Sequence, residues 1–422
     1  MYYKPPPSNG PYIWQAKDWP RLVFAESALV QDFEIARKEQ GKLLGSATAI
    51  GLNRMQDTTR ELWVAEAVST AAIEGERLDA RSVRSSVARR LGLIDDDAPV
   101  DRNIDGLVDV MQDAVDGHEA PLDEDRLCRW QAALFPGGTS GIKRIAVGRY
   151  RDHADAMQII SGRIGREVVH YTAPPSAKVR TEMSRFLKWF EQSHPVGAGA
   201  AKRATKPAVN GIARAAIAHL WFETIHPFED GNGRLGRAII DLALTQDGAV
   251  DTAHATALSA RLFGVSTQLL ATRKAYYDAL NGAQRGNTDV TAWVQWFTQT
   301  FAAACVRSQG VIAHAINKSA YWQNVAGHAV NERQKKVLAR LLDAGDGGFL
   351  GGLTAEKYGK MAGVSKATAT RDLAALVRSD LLVVDGIGKA TRYAASVAGW
   401  KGLAQSDVPS AESLDTSVGE QD

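Results

Sequence analysis

The amino-acid sequence predicts a mainly α-helical protein with one small β-hairpin and a separate C-terminal unit. Small and apolar residues recur at the spacing of a helix face through most of residues 27–318. Residues 157–172 differ, because two β-rich runs flank a glycine-containing break there. Residues 331–395 show further helical segments that end in a glycine-tipped β pattern. The composition, 45% hydrophobic and 23% charged, is typical of globular domains.

The first 30 residues are rich in proline and aromatic side chains. The proline run disfavours a helix, and Trp14, Trp19 and Phe24 need a surface to pack on. We therefore expect an extended arm or a short strand that lies on the body of the protein.

Helical periodicity defines the body of the chain. Residues 87–103 interrupt the pattern with glycine, proline and a run of acids, which predicts a break. We expect helices at about 27–54, 57–92, 176–192 and 207–225, two helices within 103–135, one that opens near Gly233, and further helices through about 318.

These patterns divide the chain into four regions. We expect an N-terminal module over residues 1–100, a helical core over 101–320 and a second folded unit over 330–396. Residues 403–422 hold several acids and almost no large apolar residue, so they cannot bury enough surface to offset their chain entropy. This tail is predicted to be disordered.

Charge and composition limit the classes of function. The net charge is only +2, so nucleic-acid binding would need a local basic patch. The two cysteines lie far apart and indicate neither a disulfide framework nor a thiolate zinc site. No apolar run reaches the length of a membrane span and the N-terminus has no signal core, so we expect a cytoplasmic protein without membrane contact.

The stretch HPFEDGNGRLGR, residues 226–237, combines groups that suit a polyphosphate. Gly231 and Gly233 allow backbone conformations and a close approach that side chains would block. Successive amides just before a helix form an anion nest, and the helix N-terminus adds partial positive charge. Arg234 and Arg237 are three residues apart, so their guanidinium groups point to one side and suit the outer phosphates of a triphosphate.

The same stretch supplies a hard metal ligand and a base. Asp230 is an oxygen ligand among phosphate-binding groups, which favours magnesium over zinc. His226 is the group there that can take a proton near neutral pH. Together these residues predict nucleotidyl or phosphoryl transfer, in which His226 deprotonates a hydroxyl that attacks a phosphorus.

Residues 226–237 also match the signature of the Fic family, HxFx(D/E)GNGRxxR, at every specified position. The chain resembles this family over roughly residues 30–300. Fic proteins are α-helical, and most characterised members transfer AMP from ATP to a Ser, Thr or Tyr hydroxyl of a protein. The resemblance implies a helical Fic core that uses ATP as substrate and Mg2+ as cofactor.

The resemblance also implies roles for the motif residues. His226 would be the general base, Asp230 the magnesium ligand and Asn232 the ligand of the α-phosphate. The amides of Gly231–Gly233 would form the anion hole, and Arg234 and Arg237 would hold the β- and γ-phosphates.

Two further elements resemble parts of Fic proteins. Tyr276 or Tyr277, in the helix after the motif, would line the adenine pocket; core packing is the alternative. The hairpin at 157–172 looks like the family's flap. Its first strand would hold a target segment in extended form by edge pairing, through Met157, Gln158, Ile159 and Ile160; a capping ribbon is the alternative.

Upstream of the motif, Thr70-Ala-Ala-Ile-Glu74-Gly75 fits the family's inhibitory pattern (S/T)xxxE(G/N). On this resemblance, Glu74 would form a bidentate ion pair with Arg237 and occupy the guanidinium meant for the γ-phosphate. Gly75 would end the helix as a C′ glycine. We expect an enzyme inhibited by its own chain.

Residues 331–395 predict a winged helix-turn-helix with helices at 332–343, 354–362 and 365–379. The region has 11 Lys/Arg and 7 Asp/Glu, so 11 − 7 = +4. DNA contacts and protein docking remain alternatives. The candidate DNA contacts lie on the third helix: Lys366, Thr368, Thr370 and Arg371.

Three functional interpretations remain at this point. The first is a self-inhibited protein adenylyltransferase that acts on an unidentified target protein and on itself. The second is a transcriptional regulator that senses nucleotide; an intact base and metal ligand favour the first. The third is a related reaction at the same site: AMP removal, or transfer of UMP, phosphate or phosphocholine. Homodimers are common in the family, and the sequence leaves the oligomeric state open.

Overall fold

The computed structural model describes residues 11–49, 52–93, 101–161, 168–195, 209–248, 261–344, 349, 351–397 and 400. The chain divides into two compact units, Met1–Ile312 and Ala313–Asp422. The predicted tail, residues 403–422, lies outside the described residues. No helix in the described part of the chain has both the length and the apolarity that a bilayer crossing requires.

The first unit is helical, which confirms the predicted class. Its helices are α1 (Val30–Ala49), α2 (Leu52–Ile73), α3 (Ala80–Arg90), α4 (Arg102–Asp116), α5 (Glu124–Leu134), α6 (Ser176–Gln192), α7 (Gly211–Ile225), α8 (Asn232–Gly248), α9 (Val265–Ala271), α10 (Arg273–Gln284) and the start of α11 (Thr291–Ala326).

Two short hairpins accompany these helices. Strands β1 (Thr139–Ser140) and β2 (Lys143–Arg144) pair antiparallel. Strands β3 (Gln158–Ser161) and β4 (Val168–Thr172) also pair antiparallel, with a register irregularity between Ile159 and Ile160. The second hairpin confirms the predicted ribbon at 157–172, whose tip lies outside the described residues.

Helix α7 forms the centre of the first unit. Every residue from Gly211 to Ile225 is buried, and most of these residues are apolar. It packs against α8, and α6 and α10 also contact it. The loop between α7 and α8, residues 226–231, is therefore held between two buried helices.

The predicted helix at 57–92 is wrong in one respect, because it is two helices. Helix α2 ends at Ile73 and Gly75 has φ 85°, a left-handed conformation that glycine adopts without strain. Helix α3 begins after Asp79, whose carboxylate accepts a hydrogen bond from the amide of Ser82 at 2.9 Å. The sequence analysis missed this second start signal.

The N-terminal arm lies on the body, as predicted, through its aromatic residues. The indole nitrogen of Trp14 donates to the carbonyl of Thr172 at 2.9 Å, and that of Trp19 donates to Glu182 at 2.9 Å. Val23 forms a parallel bridge with Asp289. Short 3-10 turns at Ile13–Gln15 and Glu26–Ala28 replace the extended conformation that we expected.

The second unit has a hydrophobic core of its own, which includes Val337, Leu341, Tyr358, Leu373 and Leu382. Its helices are α12 (Glu332–Asp343), α13 (Ala355–Ala362) and α14 (Lys366–Arg378), followed by the antiparallel strands β5 (Leu382–Asp385) and β6 (Arg392–Ala395). These elements lie where the sequence predicted them. Their assignment as a winged helix-turn-helix stays a prediction.

Candidate functional site

The loop that follows α7 has a backbone conformation that is rare for a residue with a side chain. His226 has φ 51° and ψ 62°, in the left-handed region. Arg151 holds this turn: its Nε donates to the carbonyl of His226 at 2.8 Å and its Nη2 to that of Ile225 at 3.2 Å. The backbone amide of Arg151 donates to the carbonyl of Pro227 at 2.9 Å. The imidazole is thus carried on a braced turn.

Burial of Arg151 is nearly complete, and burial lowers its pKa to about 10. Carbonyl groups rather than carboxylates surround this guanidinium. The sequence analysis missed Arg151, because a single arginine 75 residues before His226 gives no local signal.

Two glycines of the loop are required by close contacts. A Cβ atom on Gly231, which has φ 88°, would lie 2.9 Å from a ring carbon of Phe135. A Cβ atom on Gly233 would lie 2.1 Å from Oε1 of Glu74. At Gly231 a side chain would meet an aromatic ring on a left-handed backbone, and at Gly233 the carboxylate of Glu74 from the turn after α2 occupies the space. The predicted role of both glycines in phosphate binding stays a prediction.

Asn232 closes the loop on itself. Its Oδ1 accepts from the amide of Phe228 at 2.9 Å and its Nδ2 donates to the carbonyl of Phe228 at 2.8 Å. Phe228 is fully buried, as expected of a loop anchor. In this structure the amide braces the loop, and its predicted contact with an α-phosphate stays a prediction.

Arg237 is buried, and its guanidinium makes three hydrogen bonds to Thr70 of α2 and to Glu74 in the turn that follows. Its Nη2 donates to Oε1 of Glu74 at 2.7 Å and to the carbonyl of Thr70 at 2.9 Å. Its Nε donates to the hydroxyl of Thr70 at 2.6 Å. Burial alone would lower the pKa of Arg237, but the Glu74 carboxylate outweighs it and raises the pKa.

The predicted bidentate geometry of this pair is wrong. Glu74 makes one nitrogen–oxygen contact with Arg237, because Thr70 takes the other donors on that edge of the guanidinium. The first and fifth residues of the predicted inhibitory pattern, Thr70 and Glu74, thus both contact the same arginine, and their inhibitory role stays a prediction.

Arg234 is paired with a second acid that the sequence analysis missed. Its Nη1 lies 3.1 Å from Oε2 of Glu76, and its guanidinium stacks on Phe135. Glu76 follows Gly75 in the same turn that carries Glu74. Both arginines of the motif thus face carboxylates from one turn.

Asp230 is half-exposed and already placed by hydrogen bonds. The hydroxyl of Ser140, on the β1–β2 hairpin, donates to Oδ2, and the amide of Gly231 donates to Oδ1 at 2.5 Å. That amide therefore faces Asp230 rather than open solvent. Within the described ranges no group of three or more His, Cys, Asp or Glu residues could form a metal cage.

A cavity of about 490 Å³ opens beside the loop. Its lining combines the acidic turn, the loop and helix α10, and includes Glu74, Glu223, His226, Gly233, Tyr277 and Gln284. This volume falls within the usual range of small-ligand pockets, roughly 300–1,000 Å³.

The two tyrosines of α10 occupy different environments. Tyr276 is 2% exposed and its hydroxyl lies 2.9 Å from Nε2 of His219, so most of this side chain packs in the core. Tyr277 is half-buried, with its hydroxyl donating to the carbonyl of Ile73 at 3.3 Å. Both residues border the cavity, so pocket lining and core packing are both realised.

A model of the Fic/DOC family matches residues 121–244, which contain this loop, both motif arginines and the buried helix α7. The chain carries a Fic domain. A second model, described as a domain of unknown function (DUF4172), matches residues 12–93 and so covers the arm, α2 and the acidic turn. Glu74 and Glu76 thus lie outside the matched Fic segment and reach it from the preceding one.

Two curated relatives match parts of the chain. A uridine 5′-monophosphate transferase of Xanthomonas campestris pv. campestris is 32% identical over 129 residues, 31% of this chain and 22% of that protein. A probable protein adenylyltransferase of Aquifex aeolicus is 40% identical over 45 residues, 11% of this chain and 14% of that protein. The matches span less than a quarter of either relative.

Solved structures of Fic proteins also resemble the chain. A Fic family protein from Desulfovibrio desulfuricans aligns with TM-score 0.47 at 19% identity, over 86% of this chain and 95% of that one. A Fic domain containing signaling protein from Bacteroides thetaiotaomicron aligns with TM-score 0.41 at 16% identity, over 71% and 100%. The family assignment rests on the sequence match to residues 121–244.

The β3–β4 hairpin borders the same cavity as the Fic loop. Ile159 of β3 and His170 of β4 line it, together with Gln284 of α10. Met157 accepts a backbone hydrogen bond from Ala173 at 2.9 Å, and Gln158 pairs with Thr172. The side chain of Ile160 lies outside the described residues. The position fits the predicted flap, whose role in target docking stays a prediction.

Gln284 is one of several polar residues of the cavity that were not predicted from the sequence. It is 1% exposed, and neither its Oε1 nor its Nε2 has a hydrogen-bond partner within the described structure. A buried amide without partners costs about 1–3 kcal/mol. Its spacing of seven residues from Tyr277, on the same helix face, is the sequence signal that could have found it.

Proposed function

We propose that the protein is a self-inhibited protein adenylyltransferase. It would transfer AMP from ATP to a Ser, Thr or Tyr hydroxyl of a target protein and release pyrophosphate. The observation that carries this proposal is that His226 and Gly233 line one cavity together with Glu74, whose carboxylate pairs with Arg237 of the motif. The names of the two curated relatives, a uridylyl and an adenylyl transferase, support nucleotidyl transfer as the reaction class.

His226 would act as the general base. It lines the cavity and its side chain is 13% exposed, so a hydroxyl can reach it from the cavity. The imidazole takes the hydroxyl proton while that oxygen bonds to the α-phosphorus. The bond from the α-phosphorus to the β-bridging oxygen breaks, and pyrophosphate leaves.

The amides at the start of α8 and the two arginines would hold the phosphates. The helix N-terminus attracts negative charge, and each guanidinium can donate two parallel hydrogen bonds. Arg234 and Arg237 are nearly buried, so their charges act in a region of low dielectric. In the present structure these charges are met by Glu76 and Glu74 instead.

Asp230 fits the predicted magnesium ion. Mg2+ in nucleotide sites is usually held by one or two carboxylates plus substrate phosphates, and Asp230 is a half-exposed carboxylate at the phosphate-binding loop. The ion would neutralise phosphate charge when bound. Ser140 would orient the Asp230 carboxylate through its hydrogen bond.

Glu74 would inhibit the enzyme by occupying Arg237. Its carboxylate lies against Gly233 and accepts a hydrogen bond from the Arg237 guanidinium. A γ-phosphate must therefore displace this carboxylate to reach the same donors. ATP would bind in an unproductive position while this contact persists. AMP removal, for which this carboxylate would orient water, is the alternative reaction at the same site.

The transferred group is tested by labelling. Incubation of the Glu74→Gly protein with ATP labelled at the α-phosphate should label the protein, and ATP labelled at the γ-phosphate should not. Labelling from the γ-position alone would indicate a kinase instead. A parallel incubation with UTP tests transfer of UMP, the reaction that the name of the Xanthomonas relative describes. A nucleotide that binds without any covalent transfer would favour the sensing regulator.

Replacing Gln284 with leucine is expected to raise the KM for ATP roughly tenfold, because the adenine ring of ATP bound in the cavity would lose its hydrogen bonds to this side-chain amide. Tenfold corresponds to about 1.4 kcal/mol. The free energy of unfolding should not fall, since the variant removes two unpartnered buried polar atoms. Steady-state kinetics and urea unfolding measure the two effects.

Gln295→Leu is the matched control, because Gln295 is exposed on α11 and bonds to Asp32 rather than to the cavity. An unchanged KM in Gln284→Leu would remove this residue from the nucleotide site.

DNA binding by the second unit is a further candidate function. Lys366, Thr370 and Arg371 are exposed on α14, while Thr368 is half-buried. The hydroxyl of Thr370 donates to the carbonyl of Lys366, and that of Thr368 lies 3.1 Å from the hydroxyl of Ser365. Lys366 and Arg371 are therefore the stronger candidates for phosphate contact.

We expect the full chain to bind duplex DNA with an affinity that falls as salt rises. Replacing Lys366 and Arg371 with alanine should weaken binding and reduce the salt slope by about one unit for each phosphate that is no longer neutralised. Fluorescence anisotropy with labelled duplexes measures both. Absence of binding at low salt would favour protein docking as the role of this unit.

A further inference from the structure

We propose that Glu223 is a positioning residue that orients the imidazole of His226 and keeps its Nδ1 protonated. The other ring nitrogen, Nε2, is then free to accept the proton of the target hydroxyl. This inference rests on the proposed function, because it gives His226 the role of base.

The carboxylate of Glu223 lies on the Nδ1 side of the His226 imidazole. Glu223 lies in the last turn of α7, three residues before His226, and its Oε2 is 3.6 Å from Nδ1 of His226. The left-handed turn at His226 folds the ring back toward that helix end. Nδ1 has no hydrogen-bond partner in the described structure. At 3.6 Å the contact with Glu223 is slightly longer than a hydrogen bond, and such contacts often shorten in the substrate complex.

The carboxylate of Glu223 is buried, which is unusual for an acid whose role is only structural. Glu223 is 4% exposed, and acids are rarely buried without a partner or a function. Its Oε1 has no hydrogen-bond partner in the described structure. An unpaired oxygen of this kind is costly in a core, so the carboxylate needs a reason beyond packing.

The surrounding charges support the ionised form of Glu223. Burial alone would raise its pKa, but the neighbouring His226, His219 and Arg237 outweigh burial and hold the pKa below its ordinary value. An ionised carboxylate accepts hydrogen bonds and donates none. Facing it, the neutral imidazole must therefore carry its proton on Nδ1.

A glycine within the motif, Gly236, leaves space for the Glu223 carboxylate. A Cβ atom on Gly236 would lie 2.3 Å from Oε1 of Glu223 and 3.0 Å from Nδ1 of His219. Position 236 falls in one of the unspecified places of HxFx(D/E)GNGRxxR, so the phosphate-binding loop does not explain a glycine here. Close approach of the Glu223 carboxylate does.

A carboxylate that orients a histidine base makes that base more effective. A carboxylate on one imidazole nitrogen fixes the tautomer and stabilises the imidazolium that forms during proton transfer. Glu223 touches His226 and not the reacting atoms, so it acts through His226. Its loss should reduce kcat and leave nucleotide binding in place.

The first test reads the tautomer of His226 by nitrogen-15 NMR in the full-length protein with labelled histidine. His226→Ala identifies the His226 signals. We expect the Nδ1-protonated form in the unmodified protein, and a shift toward the Nε2-protonated form in Glu223→Gln, since the amide can donate to Nδ1. A major Nε2-protonated form in the unmodified protein would overturn the proposal, and this reading needs neither catalysis nor a folded Glu223 variant.

The second test uses the activated Glu74→Gly protein as background. Adding Glu223→Gln should lower kcat by ten- to a hundredfold with less than a twofold change in the KM for ATP. Glu182→Gln is the matched control, because Glu182 is also a buried acid but bonds to Trp19; it should leave both constants unchanged.

The outcomes separate this inference from the proposed function. Loss of kcat and ATP binding together, with an unchanged tautomer, would show a structural role for Glu223 and overturn the inference. Absence of any AMP transfer in the background protein would overturn the proposed function, while the NMR result would still decide whether Glu223 orients His226.

Discussion

Replacing Glu74 with glycine is expected to raise the rate of self-modification with ATP at least about tenfold, equivalent to ~1.4 kcal/mol. The carboxylate bonds to Nη2 of Arg237 and lies where a side chain at Gly233 would be. Its removal leaves Arg237 free to pair with a phosphate. Because an inhibited conformation reduces the apparent affinity in proportion to the competent fraction, both kcat and the apparent KM for ATP should improve.

Intact-mass analysis after incubation with ATP and magnesium measures this effect as the fraction of chains that gain one AMP. Glu119→Gly is the matched control, because Glu119 is an exposed acid in the turn after α4 and makes the same change of residue type. The inhibitory role of Glu74 is contradicted if both variants modify themselves at the rate of the parent protein.

The effect of removing Glu76, the second acid of the same turn, can be compared with the effect of removing Glu74. Its carboxylate pairs with Arg234 at 3.1 Å but is 45% exposed, so it should be displaced by phosphate more easily than Glu74. Adding Glu76→Gln to Glu74→Gly should therefore raise the rate less than the first change does. A larger second step would make Glu76 the main inhibitory acid.

Replacing His226 with alanine is expected to reduce AMP transfer by roughly 10²–10⁴-fold, the usual contribution of a general base. The imidazole borders the cavity, and its backbone is held independently by Arg151, so the loop should keep its shape without the ring. Nucleotide affinity should change little, since the phosphate-binding amides and arginines remain.

The measurement pairs single-turnover transfer in the Glu74→Gly background with equilibrium binding of a non-hydrolysable ATP analogue. His328→Ala serves as control, because His328 is an exposed residue of the second unit. Transfer that survives in His226→Ala at the parent rate would assign the base to another residue. Loss of analogue binding would instead show that the loop had collapsed.

The motif at 226–237 could be read from the sequence because its chemistry is local. A glycine's freedom, a helix start and the spacing of Arg234 and Arg237 depend on the backbone within a few residues. The same holds for the strands of the hairpin and for the three helices of the second unit, whose caps and periodicity lie in the chain itself. The unpredicted break in 57–92 had a local signal as well, in Gly75 and Asp79.

The sequence by itself determined the helical class and the extent of the loop at residues 226–237, which we propose binds phosphate. Only the tertiary structure decided which side chains face that loop: Glu76 is 158 residues from Arg234, and Gln284 reaches the cavity from a different helix. It also showed that Glu74 makes a single contact with Arg237, while Thr70 accepts hydrogen bonds from Nε and Nη2 of the same guanidinium. Such contacts depend on how buried helices pack against one another. The spacing of residues within one segment does not determine that packing.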